Sequence, residues 1–151
     1  MGTNFYYKIP LKKREIENLK KLIVEDPEMP ALMEELDDIQ RTHVIHIGKR
    51  SAGWQFLWDL NDGDYYEDNL NSIKDFFNRN DGYIENEYGN KFTVDEFFNE
   101  EINECLYKND NCCDSYSYHK KHPNENYYYP LGAYEYISKD GLRFSKLKDF
   151  A

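Results

Sequence analysis

The chain has 151 residues, with 29 Asp+Glu against 19 Lys+Arg and a formal net charge of −10. Such a charge excludes simple binding along a phosphate backbone, which needs clustered Lys and Arg. Aromatic residues make up 17% of the chain, which excludes the usual disordered acidic chain, since those are poor in aromatics.

A folded acidic protein of one domain, 1–151, is therefore expected. Mean hydropathy is −0.93, and no apolar run approaches the ~20 residues of a membrane span. Residues 1–8 lack the apolar stretch of a signal peptide. Three cysteines without such a leader point to a reducing compartment.

Residues 3–9 are aromatic and β-branched up to Pro10, which predicts a strand. Over 11–25, Ile16, Leu19, Leu22 and Ile23 fall on one helical stripe. Asp26 and Pro27 break that helix. Pro30 suits the first turn of a second helix, whose stripe is Leu32, Met33, Leu36 and Ile39. The interval 11–40 thus predicts a helical hairpin inserted after the first strand.

Residues 42–60 predict a β-hairpin. Its second arm, 54–60, alternates Trp54, Phe56, Trp58 and Leu60 against Gln55, Leu57 and Asp59. Asn61 to Asp64 is a turn. A short helix over 69–79 turns Leu70, Ile73, Phe76 and Phe77 inward. Residues 83–92 predict a small hairpin. Thr93 to Glu96 is a capping box opening a helix over 94–107, with Val94, Phe97, Phe98, Ile102, Cys105 and Leu106 on its buried side.

From 107 to 133 the periodicity stops in a Tyr- and Asn-rich irregular segment. Asp140-Gly141 then marks a last hairpin turn. The fold class is α+β, an antiparallel sheet packed against about four helices.

Two patterns are candidate sites. His46, Lys49, Arg50, Ser51 and Trp54 sit among Gly48 and Gly53, and glycines beside Lys and Ser suit close backbone approach to an anion. The competing reading is a tight turn with solvated cations. The Gly-x4-Gly-Lys spacing of a P-loop is absent. Trp54, Phe56 and Trp58 are either core or a stacking platform. Glu34, Glu35, Asp37 and Asp38 crowd the second helix, as either a solvated face or a surface for a basic partner.

Cys105, Cys112, Cys113, His119 and His122 raise a zinc site, but adjacent Cys112 and Cys113 are poor co-ligands and Cys105 reads as core. The alternative is thiols and loop histidines, and no metal or cofactor is expected. No motif of a catalytic class is present.

The opening Met1-Gly2-Thr3-Asn4-Phe5-Tyr6 and the run His46-Ile47-Gly48-Lys49-Arg50-Ser51-Ala52-Gly53-Trp54-Gln55-Phe56 together resemble a family of small phage and prophage proteins. Glu87-Tyr88-Gly89 followed by 93–106 also fits. The resemblance covers about 1–9 and 43–106. Many relatives carry a Cys-x-x-Cys pair where this chain has its helical insertion. The resemblance implies a setting of phage against bacterium, in the host cytoplasm.

The leading expectation is an acidic binding protein that engages a host defence protein, such as a nuclease with a basic channel, in the manner of an anti-CRISPR inhibitor. It would contact neither nucleic acid nor membrane directly. Two alternatives rest on His46, Lys49, Arg50, Ser51 and Trp54. One is a sponge for a nucleotide signal. The other is a small nucleotide-processing enzyme with His46 as acid and base.

Overall fold

The computed structural model describes residues 2–25, 30–109 and 135–146. An open seven-stranded sheet runs through them in the order β5-β4-β1-β2-β3-β7-β6. Its strands are β1 (Gly2–Lys8), β2 (Val44–Ser51), β3 (Leu57–Asp59), β4 (Tyr83–Asn86), β5 (Lys91–Phe92), β6 (Glu135–Ile137) and β7 (Arg143–Ser145). The helices are α1 (Lys13–Glu25), α2 (Pro30–His43), α3 (Leu70–Arg79) and α4 (Val94–Glu96). The α+β expectation holds, with one departure: β3 and β7 pair in parallel.

The core follows from strand alternation. Phe5 and Tyr7 point inward from β1, and Ile45 and Ile47 from β2. They meet Phe56 and Trp58, then Ile73, Phe76 and Phe77 of α3. Rings touch throughout: Phe56 and Trp58 lie 4.8 Å apart, and Tyr7 and Phe77 4.7 Å. Such aromatic pairs add stability beyond the area they bury.

Two expected elements are shorter than predicted. The arm 54–60 contracts to 57–59, because Trp54 and Gln55 belong to the turn that precedes it. Alternation fails there too, since Gln55, Phe56, Leu57, Trp58 and Asp59 are all buried. The predicted helix 94–107 is one turn of α-helix followed by a π-turn over Phe97–Glu101. Its capping box forms as expected, with Thr93 Oγ1 accepting from the Glu96 amide at 3.1 Å. The Ile102 amide then reaches back to the Phe97 carbonyl at 3.0 Å. The wider turn lets Phe97, Phe98 and Ile102 all bury. Cys105 and Leu106 are only partly buried against that core.

The helical hairpin stands apart. No residue of α1 is buried, and among the described residues no hydrophobic of α1 or α2 belongs to the core cluster or packs against it. Only Leu32, among the hairpin's described residues, is a buried hydrophobic. Its base is tied to the sheet where the Ile9 amide donates to the His43 carbonyl at 2.8 Å. Among the described residues no helix is long and apolar enough to cross a membrane.

Candidate functional site

The segment 46–55 leaves β2, turns at Ala52-Gly53, and enters β3. Gly53 takes a φ of +79°, a conformation that favours glycine. The Trp54 amide closes the turn on the Ser51 carbonyl at 3.0 Å. Gln55 then staples the turn to distant chain: its Nε2 donates to the Leu106 carbonyl at 3.1 Å and to the Gly141 carbonyl at 2.7 Å. Gly48 makes room for close packing. A Cβ there would fall 2.4 Å from the Leu57 carbonyl oxygen and 2.5 Å from the Phe56 ring.

Four of the five residues singled out in this run share overlapping clefts, and His46 stands apart. Lys49, Ser51 and Trp54 line one cleft of about 260 Å³, with Gln55, Leu57, Glu135 and Arg143. Arg50 points to the other side, where its Nη1 donates to the Glu101 carbonyl and lies 3.5 Å from the Glu101 carboxylate. There it borders a second cleft of about 190 Å³, with Ser51, Trp54, Glu100 and Glu104, and it shares a further, open cleft with Lys49, Asn4 and Glu87. His46 lines none of these clefts.

His46 is held at both ring nitrogens. Nδ1 lies 2.8 Å from Asp59 Oδ2, and Nε2 lies 2.9 Å from Asn4 Oδ1. Asp59 is fully enclosed at 1% exposure. Its other carboxylate oxygen accepts from the Asn61 amide at 2.9 Å, and the Asn61 side chain donates to the His46 carbonyl at 2.9 Å. Tyr66 donates to the Asp59 carbonyl. Burial, then the nearby Asp59 charge, drive the Tyr66 phenol far above its ordinary range. The arrangement ties β1, β2 and β3 together.

Trp54 is not the continuation of the core stripe. It is half-buried, and the Arg143 guanidinium sits over its ring at 5.4 Å. Arg143 is 8% exposed. Its Nε and Nη2 donate to Glu135 Oε2 at 3.2 and 2.6 Å, and its Nη1 to the Gln55 carbonyl at 3.2 Å. Sequence reasoning missed Arg143, Glu135 and Asn4 as members of these constellations, because only sheet pairing brings them near. Asp59 carried one signal, a carboxylate inside a strand pattern.

The acidic group on α2 spreads round the helix. Glu34 and Asp37 are exposed, and Glu35 and Asp38 are half-buried. Beside them Met33 and Leu36 remain 55% and 45% exposed. On α1, Ile16, Ile23 and Val24 are exposed as well. Cys112, Cys113, His119 and His122 lie outside the described residues, as does most of 107–133. Among the described residues, no group of three or more His, Cys, Asp and Glu could hold a metal.

Compared with known family models, curated proteins and solved structures, the chain finds no match in any of the three.

Proposed function

We propose that the protein works by binding another protein, and that the helical hairpin is its contact surface. The observation that carries this reading is α1, an amphipathic helix that buries none of its residues. Most helical stability in folded proteins comes from packing an apolar face, and this helix withholds most of its own. Exposed apolar patches rimmed by charge mark interaction surfaces. Here Ile16, Ile23 and Val24 on α1 and Met33 and Leu36 on α2 supply the apolar part. Glu34 and Asp37 supply an acidic rim on α2.

The partner that fits is a protein with an apolar groove and a basic edge. The net charge of −10 speeds association with such a surface. The resemblance to phage proteins supports a bacterial defence protein as that partner, met in the host cytoplasm. Engagement of both His46 nitrogens favours this reading over an acid–base role for His46. The pairing of Arg50 with Glu101 favours it over a nucleotide sponge, since that cation is already committed.

The test measures affinity for purified defence nucleases as a function of salt. Wild-type binding is expected to weaken as salt rises. Reversing Glu34, Glu35, Asp37 and Asp38 to Lys, or changing Ile23 and Met33 to Asp, is expected to lose at least about tenfold in affinity. Binding unchanged in both variants would remove the hairpin from the contact.

A further inference from the structure

The two helices of the hairpin turn their spare apolar residues to one side. Glu15, in the first turn of α1, lies 2.8 Å from His43 at the end of α2, so the helices run antiparallel. Glu15, Leu19 and Leu22 on α1 and Leu32, Glu35 and Ile39 on α2 are buried or half-buried. Their three- and four-residue spacing marks the seam where the helices meet. Ile16 and Ile23 each follow a seam residue of α1 by one position. Met33 and Leu36 do the same on α2. One position is a turn of about 100°. In antiparallel helices that turn, taken from a shared seam, brings both sets to the same side. Ile16, Ile23, Met33 and Leu36 are 39%, 53%, 55% and 45% exposed. They make a single apolar face open to solvent.

The two borders of this face differ in charge. Lys20 stands between Ile16 and Ile23 on the outer border of α1, and Asp37 beside Leu36 on the outer border of α2; both are exposed. Counted from the Glu15–His43 contact, Lys20 is about five residues up α1 and Asp37 about six residues up α2, at nearly the same height. A two-fold axis along the hairpin, laid on this face, sets α1 of one copy on α2 of the other. Lys20 then meets Asp37 on both sides of the axis, and Ile23 falls at the height of Met33 and Leu36. A two-fold axis across the hairpin would instead lay acidic α2 on acidic α2.

We propose that a second copy of this chain occupies the face, the two hairpins closing into an antiparallel four-helix bundle. The proposal rests on the reading of the hairpin as a protein-contact surface and adds an occupant to it. A two-fold contact uses the same patch twice and must be self-complementary. This patch is, since its basic border falls on its acidic one and its apolar stripe on itself. Antiparallel helices around an apolar seam are a standard stable packing. Helix α1 has 13 residues and is about 20 Å long, so the area buried is that of a weak, reversible association. A reversible dimer leaves the face open to a tighter-binding partner.

The experiment is sedimentation velocity of the full-length chain across the micromolar range, at low and high salt. The mean mass is expected to climb with concentration from 18.2 kDa towards twice that value, and less steeply at high salt. Lys20→Glu and Asp37→Lys are each expected to raise the dimer Kd at least about fivefold, since each breaks two symmetry-related pairs and sets like charges opposite. The double variant, with the charges exchanged, returns Kd to near the wild-type value. Damage to the helices themselves would give no such rescue. Ile23→Asp leaves a monomer with unchanged β-sheet circular dichroism. A chain that stays monomeric throughout the range, or a dimer that the exchange fails to restore, would overturn the proposal. A monomer that still binds a defence nuclease through the hairpin overturns the self-pairing alone. A dimer rescued by the exchange upholds the pairing even where no nuclease binds.

Discussion

Asp59 holds His46 across two strands, carboxylate to Nδ1 at 2.8 Å, with the carboxylate wholly enclosed and the imidazole at its edge. A buried ion that loses its partner is costly, because nothing then offsets its desolvation. His46→Ala is accordingly expected to lower stability by about 3 kcal/mol. Asp59→Asn, which keeps the shape and one acceptor, costs less. Urea denaturation measures both, and a wild-type midpoint for His46→Ala would mean that the pair carries no structural weight.

The close approach at Gly48 predicts a second loss. Any added Cβ meets the Leu57 backbone and the Phe56 ring, and neither can yield without moving β3 or the core. Gly48→Ala is expected to destabilise by about 1–3 kcal/mol. A thermal melt decides it, and a stabilised variant would contradict the packing described.

The hairpin is expected to be dispensable for the sheet. Lys8 pairs directly with Val44, and Ile9 donates to His43, so β1 and β2 are already neighbours at that end. Replacing residues 10–42 by Asn-Gly would leave a two-residue β-turn of the favoured type. The loss of buried Leu32 costs about 2 kcal/mol. Preserved β-sheet circular dichroism together with lost partner binding is the expected outcome; an unfolded variant would show the hairpin to be part of the fold.

Acid should loosen the hairpin first. The Lys12 amide, and secondarily His43, hold the Glu15 carboxyl below its usual range, while partial burial works the other way. His43 Nε2 lies 2.8 Å from Glu15, linking α1 to the end of α2. A carboxyl with a lowered folded pKa contributes stability that is present above its unfolded value of 4.5 and is lost as pH falls through the folded value. Amide exchange in α1 should therefore rise below that pH ahead of exchange in β1. Glu15→Gln abolishes that pH dependence.

At the alkaline end, burial and then Asp68 push the Tyr136 phenol up to about 12. It donates to Asp68 at 3.0 Å. A raised folded pKa gives stability that is complete below 10.0 and disappears as pH climbs through about 12. Tyr136→Phe is expected to flatten that limb of the pH–stability curve, which a pH series of melts records.

Local pattern was legible where one face of an element met the core. Ile73, Phe76 and Phe77 announced α3 by their spacing, Thr93 and Glu96 announced the capping box, and Asp140-Gly141 announced the β6–β7 turn, where Gly141 takes a φ of +85°. The hairpin was legible as two helices but not as an outlier, because an amphipathic stripe does not say whether its own chain will cover it. The strand expected over 54–60 is too long, since Trp54 answers to Arg143 rather than to strand alternation. The Asp59–His46 pair had no signature in spacing, because it depends on which strands become neighbours.

The parallel pairing of β3 with β7 sets an order of assembly. Arg143 and its Gln55 partner stand 88 positions apart, so during synthesis β3 emerges long before the strand that covers its outer edge. Until then Leu57, Trp58 and Asp59 present an unpaired backbone, a template for strand addition by another chain. Long-range pairings of this kind form late and slow the search for the native state. A nascent chain halted before Arg143 would therefore be the sticky species, and closure of that edge the last committed step of folding.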